Sequence, residues 1–140
     1  MPELITWTDA LETGLPTVDA QHQELVRLAN RVGDMMIKAD GIDLAVIDNA
    51  FVDLVNYTKY HFAEEEGFMD KSGLPPGVVK EHKLEHRDFV NKVAMLWISR
   101  NGNPKRTFAD LSAFLQAWIY RHILVVDKEM ASLIGRMESV

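Results

Sequence analysis

Two histidines four positions apart form the most informative stretch of this 140-residue chain, the segment HKLEH at residues 82–86. Residues four apart on an α-helix lie on one face, so the imidazoles of His82 and His86 can point toward the same ion. Such a pair can chelate a metal, although an isolated pair is more often two packed or solvated side chains. The other three histidines of the chain therefore decide between the two interpretations.

Apolar residues recur at alternating spacings of three and four along four segments, which is the pattern of helices that share a core. Asp19 is a candidate cap where the first helix begins. The apolar stripe of the second helix runs from Ile47 to Phe68. Turn-forming residues separate the four segments at Asp40-Gly41, at residues 71–77 and at residues 101–104.

The sequence predicts one all-α domain over residues 1–140, an antiparallel up-down-up-down four-helix bundle. No segment has the alternation of period two that a β-strand requires. An irregular N-terminal arm of about residues 1–16 comes first, and the predicted helices span about residues 18–38, 43–70, 78–100 and 105–136.

All five histidines lie on the predicted core-facing stripes, and each helix carries at least one of them. Imidazoles are uncommon inside a bundle unless they are hydrogen-bonded or bound to something. Five that converge from four helices predict a metal site in the bundle core, a known type of site. The five are His22, His61, His82, His86 and His122.

Two carboxylates join the histidines. Glu65 lies one helical turn beyond His61, whereas its neighbours Glu64 and Glu66 are rotated by roughly 100° to either side and are predicted to be solvated. Asp127 follows His122 by five residues, which is roughly 140° around a regular helix. Asp127 can share the site only if the helix is distorted, so we predict a π-type bulge or an early helix end between these two residues.

The donor set favours iron. Five imidazole nitrogens and four oxygens from two bridging carboxylates make nine bonds, and one oxo or hydroxo bridge brings the total to eleven. Two octahedral ions need twelve, so one position stays open on the ion with fewer histidines. Nitrogen and oxygen donors without thiolate suit iron, and an open position on a paired redox metal suggests a small ligand, above all dioxygen.

Composition excludes several other classes of function. The chain has no cysteine, which removes disulfides, thiolate metal sites and thiol nucleophiles. A net charge of -6 disfavours nucleic acid and anionic membranes as partners. No signal peptide and no apolar run of about 18 residues is present, so we expect a cytoplasmic protein that does not insert into membranes.

With these residues in place, the chain resembles the hemerythrin family, specifically its single-domain bacterial members. The resemblance covers essentially the whole chain, and the combined spacing is specific although each piece alone is weak. The matching pieces are Trp7, VDAQH at residues 18–22, HFAEEE at 61–66 with Met69, HKLEH at 82–86, WIYRHI at 118–123 and Asp127.

The resemblance implies a function and a division of ligands. Two iron ions would form a diiron centre with an oxo or hydroxo bridge, and dioxygen would bind reversibly for transport, storage or delivery, without catalysis. His82, His86 and His122 would complete one iron. His22 and His61 would hold the other, whose free position takes dioxygen, and Glu65 and Asp127 would bridge the two. We expect a monomer, and the sequence names no protein partner.

Residues next to the ligands are candidates for an apolar oxygen pocket that excludes water and protons. No polar side chain that could deliver protons stands among them, which favours reversible binding over oxidation of a substrate. The candidates are Leu25, Phe62, Phe89, Trp118, Ile119 and Ile123, with Ile119 and Ile123 the strongest because they flank His122.

Three alternatives stay open. HKLEH also matches H-x-x-E-H of inverted zinc metalloproteases, with Glu85 as general base, but Glu85 is expected to point away from the site. A ferritin-like oxidase or iron-storage protein would use more carboxylates and fewer histidines. A sensor of oxygen or nitric oxide, or an oxygen scavenger, would act with a separate partner.

Overall fold

The computed structural model describes residues 5–37, 44–99 and 102–138. Within these ranges all regular secondary structure is helical. The elements are a 3₁₀ turn at Asp9–Leu11, α1 at Pro16–Ile37, α2 at Leu44–Ser72, α3 at Pro76–Ile98, α4 at Pro104–Arg121, a π-helical segment at His122–Asp127 and α5 at Lys128–Glu138. The π-helical segment joins α4 to α5 without a break, so these three elements form one fourth helix.

The helices form the predicted bundle. α1 packs against α2 and α4, and α3 packs against the same two helices. Each helix therefore lies beside its neighbours in sequence, and α4 closes the bundle onto α1. The predicted all-α, up-down-up-down class is confirmed. The break predicted at Asp40-Gly41 lies outside the described residues. None of the described helices is long and apolar enough to cross a membrane.

Asp19 does not cap α1, which begins three residues earlier at Pro16. Its carboxylate instead accepts hydrogen bonds from the Thr13 backbone N–H at 2.8 Å, the Thr13 hydroxyl at 2.7 Å and the Gly14 N–H at 3.2 Å. Gly14 adopts a φ of +86°, a left-handed conformation that glycine accepts without strain. Asp19 thus fastens the turn before α1 onto the first turn of the helix.

The apolar stripe of α2 ends one residue later than the sequence predicts. Ile47, Phe51 and Leu54 are buried as expected, but Phe68 is 39% exposed and Met69 is buried in its place. A heptad pattern drifts by about 20° per repeat on a straight helix. Phe68 lies three heptads beyond Ile47, so the accumulated drift of about 60° carries it out of the core.

A layer of buried polar side chains divides the core into a large and a small apolar cluster. Along α2, Glu65 lies between Phe62 of the large cluster and Met69 of the small one. On the fourth helix, Asp127 lies three residues before Met130, which also belongs to the small cluster. The polar layer is therefore enclosed by apolar side chains on both sides.

Candidate metal centre

All seven metal ligands predicted from the sequence meet in this polar layer. Each is buried, with between 0% and 4% of its surface exposed. α1 contributes His22, α2 His61 and Glu65, α3 His82 and His86, and the fourth helix His122 and Asp127. Their donor atoms fall into two sets that share both carboxylates, and within each set the atoms lie within 4.8 Å of one another.

The two oxygens of Glu65 face different histidines. Its Oε1 lies 2.7 Å from the Nε2 of His82 and 3.2 Å from the Nε2 of His86. The same oxygen is 3.9 Å from the Nε2 of His122. Its Oε2 lies 3.0 Å from the Nε2 of His61 and 3.6 Å from that of His22.

Asp127 divides its oxygens in the same way. Its Oδ1 lies 3.0 Å from the Nε2 of His82 and 3.1 Å from the Nε2 of His122. Its Oδ2 lies 2.8 Å from the Nε2 of His22. Both carboxylates thus stand between a three-histidine group (His82, His86 and His122) and a two-histidine group (His22 and His61).

Asp127 reaches the site because the fourth helix is π-helical from His122 to Asp127. A π-helical turn is wider than an α-helical turn, so residues five apart come onto one face. Val125, which the regular stripe could have placed in the core, is 49% exposed. The predicted distortion between His122 and Asp127 is therefore confirmed, as a π-helical segment.

The spacing of the ring nitrogens fits a set of metal ligands. The Nε2 atoms of His22 and His61 are 3.1 Å apart, and those of His86 and His122 are 3.3 Å apart. Two nitrogens about 2.1 Å from a common ion, and at right angles to each other, are about 3.0 Å apart. The distances within both histidine groups therefore suit two nitrogens that share one ion.

The carboxylates also fit a metal, because their oxygens face imidazole nitrogens and no other donor among the described residues. All four oxygens of Glu65 and Asp127 are fully buried, and so is the Nε2 of His82. Buried polar atoms in native proteins almost always have partners, and a buried charge must be paired or bound to a metal. The donor set, with nitrogen and oxygen but no thiolate, suits iron.

The two buried carboxylates of the layer stay ionised, so positive charge must lie beside them. Burial raises the pKa of Asp127, as does the charge of Glu65, but His122 and His22 lower it to about 2. Burial also raises the pKa of Glu65, yet hydrogen bonds from the histidines hold it well below its usual value. For His22 and His82, burial lowers the pKa, but both carboxylates together raise it to about 9. In a metal-free chain the positive charge comes from protons on the histidines, and bound metal cations would replace those protons.

Three polar residues outside this set of seven face the outer nitrogens of three histidines. The Nδ1 of His61 lies 2.7 Å from the Oε1 of Gln21. The Nδ1 of His86 lies 3.4 Å from Glu66. A partner of this kind keeps the proton on Nδ1, so that the Nε2 lone pair is free for a metal. The third is Glu85, whose Oε1 lies 3.6 Å from the Nδ1 of His122, close enough for charge attraction but too far for a hydrogen bond.

Two sequence-based expectations about these residues are wrong. Glu66 was expected on the solvated surface and Glu85 pointing away from the site, yet each backs a histidine of the next helix. A residue beside a ligand is rotated by about 100°, which directs it to the flank that faces a neighbouring helix. Gln21, beside His22, follows the same rule, and the sequence did not predict its contact with His61. The signal that could have revealed it is a polar residue next to a predicted ligand.

Comparison with known proteins assigns the chain to a family. Residues 13–134 match the family model described as "Hemerythrin HHE cation binding domain". The chain belongs to the hemerythrin family. Family membership and the buried cluster together indicate a non-haem iron protein that binds dioxygen.

Relatives match nearly the full length of this hemerythrin-family chain. Bacteriohemerythrin of Clostridium acetobutylicum is 29% identical over 128 residues, which cover 90% of this chain and 98% of the relative. Bacteriohemerythrin of Pseudomonas aeruginosa is 30% identical over 119 residues, covering 85% and 74%. Myohemerythrin of Riftia pachyptila is 30% identical over 130 residues, covering 91% of each chain.

Aromatic rings of this hemerythrin-family chain pack on the three-histidine group. Phe62 stacks on His86, with ring centroids 3.8 Å apart and planes 6° from parallel. Trp118 stacks on His122 at 4.3 Å and 12°, and Phe89 packs on Trp118 at 4.1 Å. The other pocket candidates, Leu25, Ile119 and Ile123, are buried in the same apolar cluster. A role for any of the six beside dioxygen stays a prediction.

Proposed function

We propose that the seven residues hold two iron ions and that the protein binds dioxygen reversibly, as a carrier, store or donor of oxygen rather than as an enzyme. The observation that carries this proposal is the division of the carboxylate oxygens. Glu65 and Asp127 each present one oxygen to the three-histidine group and the other to the two-histidine group. Two carboxylates placed in this way suit an unequal pair of ions.

The unequal division of donor atoms between the two ions supports one open coordination position. His82, His86 and His122 with one oxygen from each carboxylate offer five donors, whereas His22 and His61 with the remaining oxygens offer four. A shared bridging oxygen would raise these numbers to six and five. Bound iron would supply the redox chemistry that lets dioxygen bind and leave. The vacant position would lie beside His22 and His61.

The role of the surrounding residues is to exclude water and hold the ligands still. Phe62 covers the ring of His86, and Trp118 covers the ring of His122, so two of the three imidazoles in the three-histidine group are shielded on one face. Met69 belongs to the apolar cluster beyond the other side of the layer. Dry surroundings keep out protons and water, which would promote oxidation of the site.

Optical spectroscopy tests the proposal. The protein is loaded with iron, reduced, and measured under argon, then after addition of oxygen, and again after purging with argon. A ligand-to-iron charge-transfer band should form with oxygen and disappear on purging, in protein that contains two irons per chain. Irreversible oxidation would indicate an oxidase or scavenger, and a single zinc with peptidase activity would contradict the proposal altogether. The monomeric state and the cytoplasmic location remain predictions.

A further inference from the structure

The buried site needs a path by which a metal can reach it, because none of its ligands is more than 4% exposed. One surface cleft of about 180 Å³ ends at a ligand: it lies between α3 and the end of the fourth helix and is lined by His82. Three carboxylates line the same cleft, those of Glu81, Glu85 and Glu129. No lysine or arginine of the described ranges lines it, and we call it the acidic cleft.

Other clefts in the described part of the chain suit a cation less well. A cleft of about 400 Å³ reaches Glu65, but it combines the acidic Glu64 with the basic Lys71. A third cleft, of about 430 Å³, is lined by Lys83 and Arg87 and touches no ligand. Of the three, only the acidic cleft joins carboxylates to a ligand without a lysine or arginine in its lining.

His82 connects the acidic cleft to the centre of the site. The residue is only 4% exposed, and its Nε2 is fully buried. That nitrogen lies 2.7 Å from the Oε1 of Glu65 and 3.0 Å from the Oδ1 of Asp127. One imidazole therefore lines the cleft and touches both carboxylates.

We propose that the acidic cleft is the path by which a divalent cation, Fe²⁺ in a reducing environment, reaches the buried site. Glu81 and Glu129 line the cleft and are exposed to solvent, so their charges raise the local concentration of the cation. Glu85, which is half-buried, and then His82, which is buried, would receive the cation on its way to the site. This inference rests on the proposed metal site and adds the route by which the site fills.

The test is the rate of Co²⁺ uptake by metal-free protein, followed by stopped-flow absorbance at low ionic strength. The variant is Glu81→Gln with Glu129→Gln, which leaves Glu85 and its contact with His122 intact. Clefts of one charge sign raise the arrival rate of counter-ions by roughly tenfold to a thousandfold, so loss of two carboxylates should slow uptake at least about fivefold. At about 1 M salt the wild-type and variant rates should converge, because screening removes the attraction.

A matched control is Asp88→Asn with Asp110→Asn, which changes the net charge equally at exposed positions outside the cleft. The control should load like the wild type. Equal rates for variant and control overturn the proposal, and so does slowing by Glu64→Gln, which would place the path at the other cleft. If circular dichroism shows that the metal-free protein has lost its helices, uptake accompanies refolding and the proposal is again overturned.

Failure of the path and failure of the proposed function give different results. If the wild type takes up two Co²⁺ per chain and the iron form binds oxygen reversibly, but uptake ignores the cleft charges, only the path is wrong. If the wild type takes up no pair of ions, or its iron form does not release oxygen, the proposed function itself is wrong.

Discussion

Glu65 and Asp127 come from different helices, yet each places one oxygen toward three histidines and the other toward two. The outer nitrogens of three of the five imidazoles face side chains that do not belong to this cluster of seven. The partner of His61 is the neutral amide of Gln21, whereas His86 and His122 face the carboxylates of Glu66 and Glu85. At the scale of single residues, the site therefore consists of seven clustered side chains and an outer set of three residues, Gln21, Glu66 and Glu85, that face the histidine rings from behind.

Replacing Gln21 tests the outer set of three residues. Gln21→Ala removes the acceptor that holds the Nδ1–H of His61 at 2.7 Å. Loss of such a partner typically lowers metal affinity by about 10- to 100-fold, so we expect a shift of that size in a competition titration with a chelator. Gln21→Glu keeps an acceptor and should restore most of the affinity. The control is Gln23→Ala, an exposed position on the same helix. Unchanged affinity in Gln21→Ala would mean that the hydrogen bond does not position His61.

Replacing His86 tests the ligand assignment. His86→Ala removes one nitrogen donor, leaves Glu65 with one partner fewer and opens a cavity under the ring of Phe62. We expect fewer than two irons per chain and a loss of about 2–4 kcal/mol in the free energy of unfolding. Metal analysis and denaturant titration measure the two effects. Arg87→Ala, at the exposed neighbouring position, should retain both irons. A His86→Ala variant with two irons and full stability would refute the assignment.

At the scale of elements, the fourth helix departs from regularity where the chemistry requires it. The π-helical segment from His122 to Asp127 brings both residues inward and turns Val125 outward. The extra residue is absorbed within the segment, so Met130 and Ile134 of α5 are again buried. A local distortion thus serves the site without disturbing the packing of the helix on either side.

The hydrogen bonds of Asp19 to the turn before α1 give a prediction about stability. Asp19→Ala removes an acceptor of three hydrogen bonds from Thr13 and Gly14. Hydrogen bonds to a charged group contribute about 1.5–3 kcal/mol, so the free energy of unfolding should fall by at least about 2 kcal/mol. Asp19→Asn, which retains one oxygen acceptor, should lie between the variant and the wild type in a denaturant titration. If Asp19→Ala is as stable as the wild type, the turn before α1 does not depend on this carboxylate.

Periodicity and donor chemistry make most of the polar layer predictable from the sequence. The histidines and Glu65 repeat with the apolar stripes, so their common layer is predictable. Asp127 does not follow the stripe. The distortion of the helix before it is predictable only because Val125 and Val126 occupy the stripe positions where a carboxylate is expected. Phe68 was misplaced because small angular errors accumulate along a helix. The roles of Glu66 and Glu85 depend on which helices are neighbours, and one helix considered alone does not contain that information.

At the scale of the whole molecule, the bundle is two apolar clusters joined across a polar layer. Every helix contributes to the layer, so whatever binds there ties all four helices together. Without metal, the layer destabilises the fold, because the negative charges of both buried carboxylates are then balanced only by protonated imidazoles. Stability and metal content should therefore be coupled.

Removal of the metal measures this coupling. A ligand that binds only the folded state at 1,000 times its dissociation constant adds about 4 kcal/mol of stability, and two ions add more. For a chain of this size each kcal/mol corresponds to roughly 3–5 °C, so the metal-free protein should unfold at least about 10 °C below the loaded protein in a thermal melt. Adding Fe²⁺ under argon should restore the higher temperature, whereas Mg²⁺, which prefers oxygen donors, should not. A metal-free protein that melts at the same temperature as the loaded one would show that the polar layer is stable on its own, and the seven residues would then need no ion to hold the four helices together.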